Sequence, residues 1–145
     1  MSDLDKTAIS ENRESDTQAT KMYCIFARES LAKMNGIRGK IATQAGHAYV
    51  HAYLDGAERF PEHGRRYLDS GRAYKITLVV DTVEKLKELE AAYQSRCGVS
   101  LVIDAGFTVF KDADGRPCPT VTCLGIGPLP DEHKGDDLKA LRPLT

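Results

Sequence analysis

Nothing in this 145-residue sequence approaches the ~18 consecutive apolar residues needed to cross a bilayer. The first twenty residues, MSDLDKTAISENRESDTQAT, hold no apolar core of the kind a secretory signal requires. The expectation is a cytoplasmic protein with no membrane partner. The four cysteines, Cys24, Cys97, Cys118 and Cys123, contain no C-x-x-C pair, so neither a zinc ribbon nor a thioredoxin-type motif is indicated. Reduced thiols are expected in that compartment. None of these cysteines has a histidine and an acid in a convincing setting, which argues against thiol nucleophile chemistry. The pattern G-x-x-x-x-G-K-[ST] is missing, so the Gly39-Lys40 pair is not a phosphate loop. There are no internal repeats. No cofactor and no metal are expected.

The apolar fraction of 41% and charged fraction of 28% are those of an ordinary globular protein, and the length suits one domain. A net charge of −1 gives no general reason to bind nucleic acid, but the charges are unevenly spread. Residues 1–20 carry two bases and five acids without apolar periodicity, and read as a disordered acidic leader. Residues 21–75 carry ten bases against five acids. That half could present phosphate-binding side chains whatever the overall balance; a merely solvated surface is the plainer interpretation.

The folded domain is expected over 21–145. MYCIF at 22–26 reads as a buried strand, and the following ARESLAKMNGIRG as a loop. From Lys40 to about Asp55 the spacing is helical. Ile41, Ala45, Ala48 and Ala52 form one stripe, and Lys40, Gln44, His47 and His51 a polar stripe beside it. A shorter helix is expected near 62–70. YKITLVV at 74–80 is a strand by its β-branched content. Asp81 with Glu84 suggests a capping box for a helix that buries Val83, Leu86, Leu89 and Tyr93. A further strand is expected at VSLVI (99–103) and a final one at TVTCLGIG (120–127), while FTVF (107–110) and TVTCLGIG flank a turn signal at Asp114-Gly115. A short element near Leu138–Leu141 would follow. Such alternation predicts an α/β fold: three layers, α/β/α, around a mixed sheet of about four strands.

Three segments carry the chemistry: GKIATQAGHA at 39–48, VIDAGFT at 102–108 and TCLGIGP at 122–128. Each alone has a bland explanation, as a helix start, a capped strand end and a core strand. In this order and spacing they resemble the second type of peptidyl-tRNA hydrolase, found in archaea and eukaryotes, over about residues 22–130. The resemblance implies a mixed four-stranded sheet between helices, hydrolysis of the ester joining a peptide to tRNA without a metal, and a homodimer. By position in the motifs it implies catalytic roles for Lys40, Asp104, Thr108 and Thr122, with Gln44 and His47 in support.

The chemistry asks for a positioned water, a group to orient it or accept its proton, and donors for the developing oxyanion. A carboxylate at a strand end, two hydroxyls and an ammonium could supply these. His47 shares the face of Lys40 and is the alternative base, since imidazole chemistry suits neutral pH; a packing role is the plainer reading. Arg28, Arg38, Arg65, Arg66 and Arg72 are expected to hold tRNA. The sequence departs from the family pattern at Ile103, where Gln is usual, and at Phe107, where Arg is usual. It also has a longer opening loop and a longer KDADGRPCP turn. Competing readings are a binding module of the same fold that hydrolyses nothing, and a hydrolase of another acyl ester.

Overall fold

A computed structural model describes residues 19–145; the acidic leader expected at 1–20 falls almost wholly outside them. The first strand, β1, spans Thr20–Ala27. Its alternate residues enter two cores. Tyr23, Ile25 and Ala27 pack on one face of the sheet, Cys24 and Phe26 on the other, as the two-residue period of a strand dictates. Strand β2, Lys75–Val80, runs parallel to β1. Strand β4, Thr120–Pro130, runs antiparallel to both β1 and β3, Val99–Asp104. A two-residue β5, Arg142–Pro143, closes the far edge, so the sheet order is β3-β4-β1-β2-β5. The expected sheet of about four strands thus gains a fifth, because the chain end pairs with β2 after a short helix α5, Asp136–Lys139.

Helices cover both faces. On one side lie α1 (Arg28–Lys33), α2 (Arg38–Arg59) and α3 (Pro61–Asp69). On the other lie α4 (Val83–Tyr93) and α5, whose Leu86, Leu89, Tyr93 and Leu138 fill the first core. Each such fully buried side chain contributes about 1.5–3 kcal/mol. The expected three-layer α/β/α arrangement is observed. Long α2 lies against β4 because β4 offers no side chain at Gly125: an added methyl there would collide with the carbonyl of Ala48. That close approach sets the height of the α2 side chains over the sheet.

Three local expectations fail for identifiable reasons. The stretch after β1 is not all loop. Arg28–Lys33 is helical, pinned by Ser30 Oγ donating to the Val121 carbonyl at 2.6 Å and by Glu29 accepting the Val83 amide at 2.6 Å. The cap of α4 is Thr82, whose hydroxyl accepts from the Lys85 amide at 3.2 Å, rather than an Asp81–Glu84 box; Asp81 instead faces Arg28. FTVF, which flanks the Asp114-Gly115 turn signal, forms no strand. Gly106 turns the chain out of β3 with φ +85°, and β4 already has β3 and β1 as neighbours. Residues 107–118 form a protruding loop closed by the Phe110–Cys118 backbone bond and a turn at Asp112–Gly115.

Candidate active site

Three elements converge at one end of the sheet. Helix α2 begins there without a side-chain cap and with no acid in its first turn, so its unpaired amides and dipole favour an anion nearby. Strand β3 ends there at Asp104, paired in register with Thr120 at the start of β4. Lys40, in the first turn of α2, reaches Asp104 Oδ2 with its ammonium at 2.5 Å, the two side chains being 17% and 10% exposed. The same ammonium donates to Thr108 Oγ1 at 3.1 Å.

Gln44 lies one turn on from Lys40 and is buried. Its Nε2 donates to Asp104 Oδ2 at 3.0 Å, and its Oε1 accepts from the Thr122 hydroxyl at 2.7 Å. Asp104 Oδ1 takes the Gly106 amide at 2.8 Å. The carboxylate therefore has donors on both oxygens. Burial pushes its pKa up, but Lys40, the Gly106 amide and Gln44 outweigh burial and hold the carboxyl below the usual range. Asp104 is ionised and restrained, not poised to take a proton near neutrality.

The structure thus brings together Lys40, Gln44, Asp104, Thr108 and Thr122, which come from three separate stretches of chain. It sets them at different depths. Thr122 is fully buried beneath Gln44, its hydroxyl donating to the amide oxygen. Thr108 is exposed. His47 and His51 stand exposed on α2, their rings 6.0 Å apart. They line a cleft of about 300 Å³ between α2 and β3 that reaches Asp104.

The arginines divide between the two ends of the sheet. Arg28 follows β1 and Arg38 opens α2, both at the Asp104 end. Arg28 pairs with Asp81 at 3.5 Å. Arg65 and Arg66 lie on α3, beyond the far end of α2, and pair with Glu62 at 2.9 Å and Glu132 at 2.5 Å. Arg72 precedes β2 at that same far end and stacks on Tyr74. Sequence reasoning passed over Lys111, which shares a second cleft, of about 260 Å³, with Lys33 and Thr120. Its signal was only a lysine opening an unusually long turn. Phe107 is 75% exposed and Ile103 61% exposed, so the two departures from the family pattern are surface features beside Asp104. Among the described residues no group of three or more His, Cys, Asp or Glu is set to hold a metal ion, and no described helix is long and apolar enough to cross a membrane.

The family model described as "Peptidyl-tRNA hydrolase PTH2" matches residues 20–142. The chain belongs to this family. Among curated relatives, "Peptidyl-tRNA hydrolase" of Sulfurisphaera tokodaii is 33% identical over 119 residues, covering 79% of this chain and 89% of that one. The protein of the same name from Methanopyrus kandleri is 38% identical over 100 residues (66% and 77%). That of Methanothermobacter thermautotrophicus is 36% identical over 97 residues (66% and 77%). The family match spans all three converging elements.

Proposed function

We propose that the protein hydrolyses the ester that joins a peptide to tRNA, releasing free peptide and free tRNA. One observation carries the reading: Lys40, Gln44, Asp104 and Thr122 form a single hydrogen-bonded chain across α2, β3 and β4, in a chain that belongs to the peptidyl-tRNA hydrolase family. A fold retained only to bind a partner has no need of a buried threonine orienting a glutamine onto a restrained carboxylate.

The roles follow from the donors and acceptors. Water attacks the ester carbonyl, the carbon–oxygen bond to the ribose breaks, and the proton lost by water ends on the ribose oxygen. Asp104, ionised and held on both oxygens, orients the attacking water by accepting from it. Its lowered pKa makes it a weak proton acceptor, so its contribution is alignment and charge. The Lys40 ammonium and the Thr108 hydroxyl are the donors nearest the developing oxyanion. Gln44 and Thr122 keep Asp104 in position. These protein groups suffice in this scheme without a metal ion.

The tRNA backbone is assigned to the Asp104 end of the sheet, where Lys33 and Lys111 share a cleft and Arg28 and Arg38 open α1 and α2. Arg65, Arg66 and Arg72 lie at the opposite end and would reach only more distant phosphates. A homodimer and a cytoplasmic setting belong to the same reading; sedimentation of the purified protein tests the first. The activity is tested with N-acetyl-aminoacyl-tRNA and with the unblocked aminoacyl-tRNA. The blocked substrate should be cleaved and the unblocked one largely spared. A folded protein that turns over neither at micromolar concentration would refute the reading.

A further inference from the structure

The sheet has an open side next to the site. Among the described residues strand β3 is an edge strand, paired only with β4. Its residues Val99–Ile103 include no proline and no charge, the devices that usually blunt an exposed edge. In an antiparallel pair, alternate residues direct their amide and carbonyl toward the partner and away from it. Gly98 faces β4, since its carbonyl takes the Gly127 amide at 2.8 Å. Val99 therefore faces outward, and its amide is taken at 3.0 Å by Asp55, itself clamped by Arg59. Leu101 repeats the outward direction of Val99. The cleft between β3 and α2 runs along this stretch from Ser100 to Asp104, with His47 and His51 on its opposite wall.

We propose that the peptide part of the substrate adds to this edge as an extra strand, with its ester carbonyl at Asp104. This rests on the hydrolase reading above. The direction is fixed by chemistry: the reacting carbonyl is the peptide's C-terminus and Asp104 is the C-terminus of β3, so the added strand runs parallel to β3. The occupant follows from continuity, since the cleft leads to Gln44 and Asp104 of the Lys40–Asp104–Gln44 cluster, while Lys33 and Lys111 line a separate cleft. Main-chain pairing suits a ligand of arbitrary side chains, because amides and carbonyls are common to every peptide. The Asp55 clamp on Val99 closes the edge, leaving Leu101–Asp104 free. At about 3.3 Å per residue that admits roughly three peptide residues.

The kinetic test varies the substrate and leaves the protein intact. N-acetyl-tRNA esters carrying one, two, three, four and five residues of mixed side chains are compared by steady-state kinetics. KM should fall about 3- to 10-fold up to three residues, at net hydrogen-bond strengths of roughly 0.5–1.5 kcal/mol, and then level off. N-methylation of single amides should raise KM at alternate positions only, because a strand presents every second residue to its neighbour. A KM that ignores peptide length, or that responds equally to methylation at successive positions, overturns the proposal. A dimer that Ile103→Lys splits into monomers would give the edge to a second copy of the chain and also overturn it. Failure of the one-residue ester as well would instead remove the hydrolase reading beneath it.

Discussion

Thr122→Val tests the buried end of the hydrogen-bonded chain. The substitution keeps volume and β-branching and removes only the hydroxyl that donates to Gln44 Oε1 at 2.7 Å. Two consequences follow. A buried carbonyl oxygen loses its donor, at a cost of about 1–3 kcal/mol, which should lower Tm by about 4 °C per kcal/mol for a domain of this size. In addition, nothing then distinguishes the two ends of the Gln44 amide except Asp104. With its oxygen free, the amide rotates among positions, and the donor to Asp104 Oδ2 at 3.0 Å is held only part of the time. If the orientation is worth the same 1–3 kcal/mol in the transition state, kcat falls about 5- to 150-fold, at 1.4 kcal/mol per decade. The acid limb of the rate profile should move up, because one of the contacts that lower the Asp104 pKa is weakened. Thr122→Ser, which restores the hydroxyl, should recover most of the rate. The assay is single-turnover hydrolysis of N-acetyl-aminoacyl-tRNA from pH 3.5 to 8. A Thr122→Val protein with wild-type kcat and an unmoved acid limb would refute the argument that Thr122 positions the site.

Asp104→Asn removes the charge and keeps the shape, and turnover should fall by roughly 10²–10⁴-fold; a near-normal rate would move the water-orienting role to His47. Because burial raises the Asp104 pKa but Lys40, the Gly106 amide and Gln44 lower it further, the net value lies below the usual range. Activity should therefore persist through the ordinary carboxyl range and fail only below it. The stability this carboxylate contributes is present above the ordinary carboxyl value and is lost as pH falls through the lower folded value. Lys40→Met should raise the acid limb and lower kcat, whereas Arg65→Ala should alter neither; equal effects from both would reduce Lys40 to one more phosphate contact. Phe107→Arg should steepen the fall of tRNA affinity with salt by about one phosphate contact, read from KM between 50 and 200 mM salt, and an unchanged slope would place residue 107 away from the backbone path.

The elements that the sequence displayed best are those whose pattern serves a single layer. Ile25, Phe26 and their neighbours in β1 are apolar on both sides because helices cover both faces, and a short apolar run says so directly. Helix α2 was legible in its middle, though it runs Arg38–Arg59 rather than Lys40 to about Asp55, and its stripes were not. Gln44 was grouped with the polar face shared by His47 and His51, yet it is buried while the histidines are exposed. The reason is that Thr122 and Asp104 satisfy both ends of its amide, and those partners lie 78 and 60 residues away. FTVF misled because β-branched and aromatic residues form strands only where the chain runs along a sheet edge, and Gly106, with φ +85°, directs this segment away from the sheet. The basic half of the chain was visible as composition, but its division between the two ends of the sheet depends on topology. The arginines on α3 are close in sequence to those of α2 and distant from Lys40 in space.

The cysteines place one more use within reach. Cys24, Cys97 and Cys123 are sealed in the two cores, and Cys118 alone is exposed. Burial drives the Cys97 thiol up to about 12, and the neighbouring Cys123 together with burial holds Cys24 far above the usual thiol range. Alkylating reagents require thiolate, so the native protein should take a maleimide dye at one position without any mutation. That position sits in the loop wall shared with Lys33 and Lys111, where, on the tRNA path proposed above, a fluorophore should register the arrival of the polyanion and its departure.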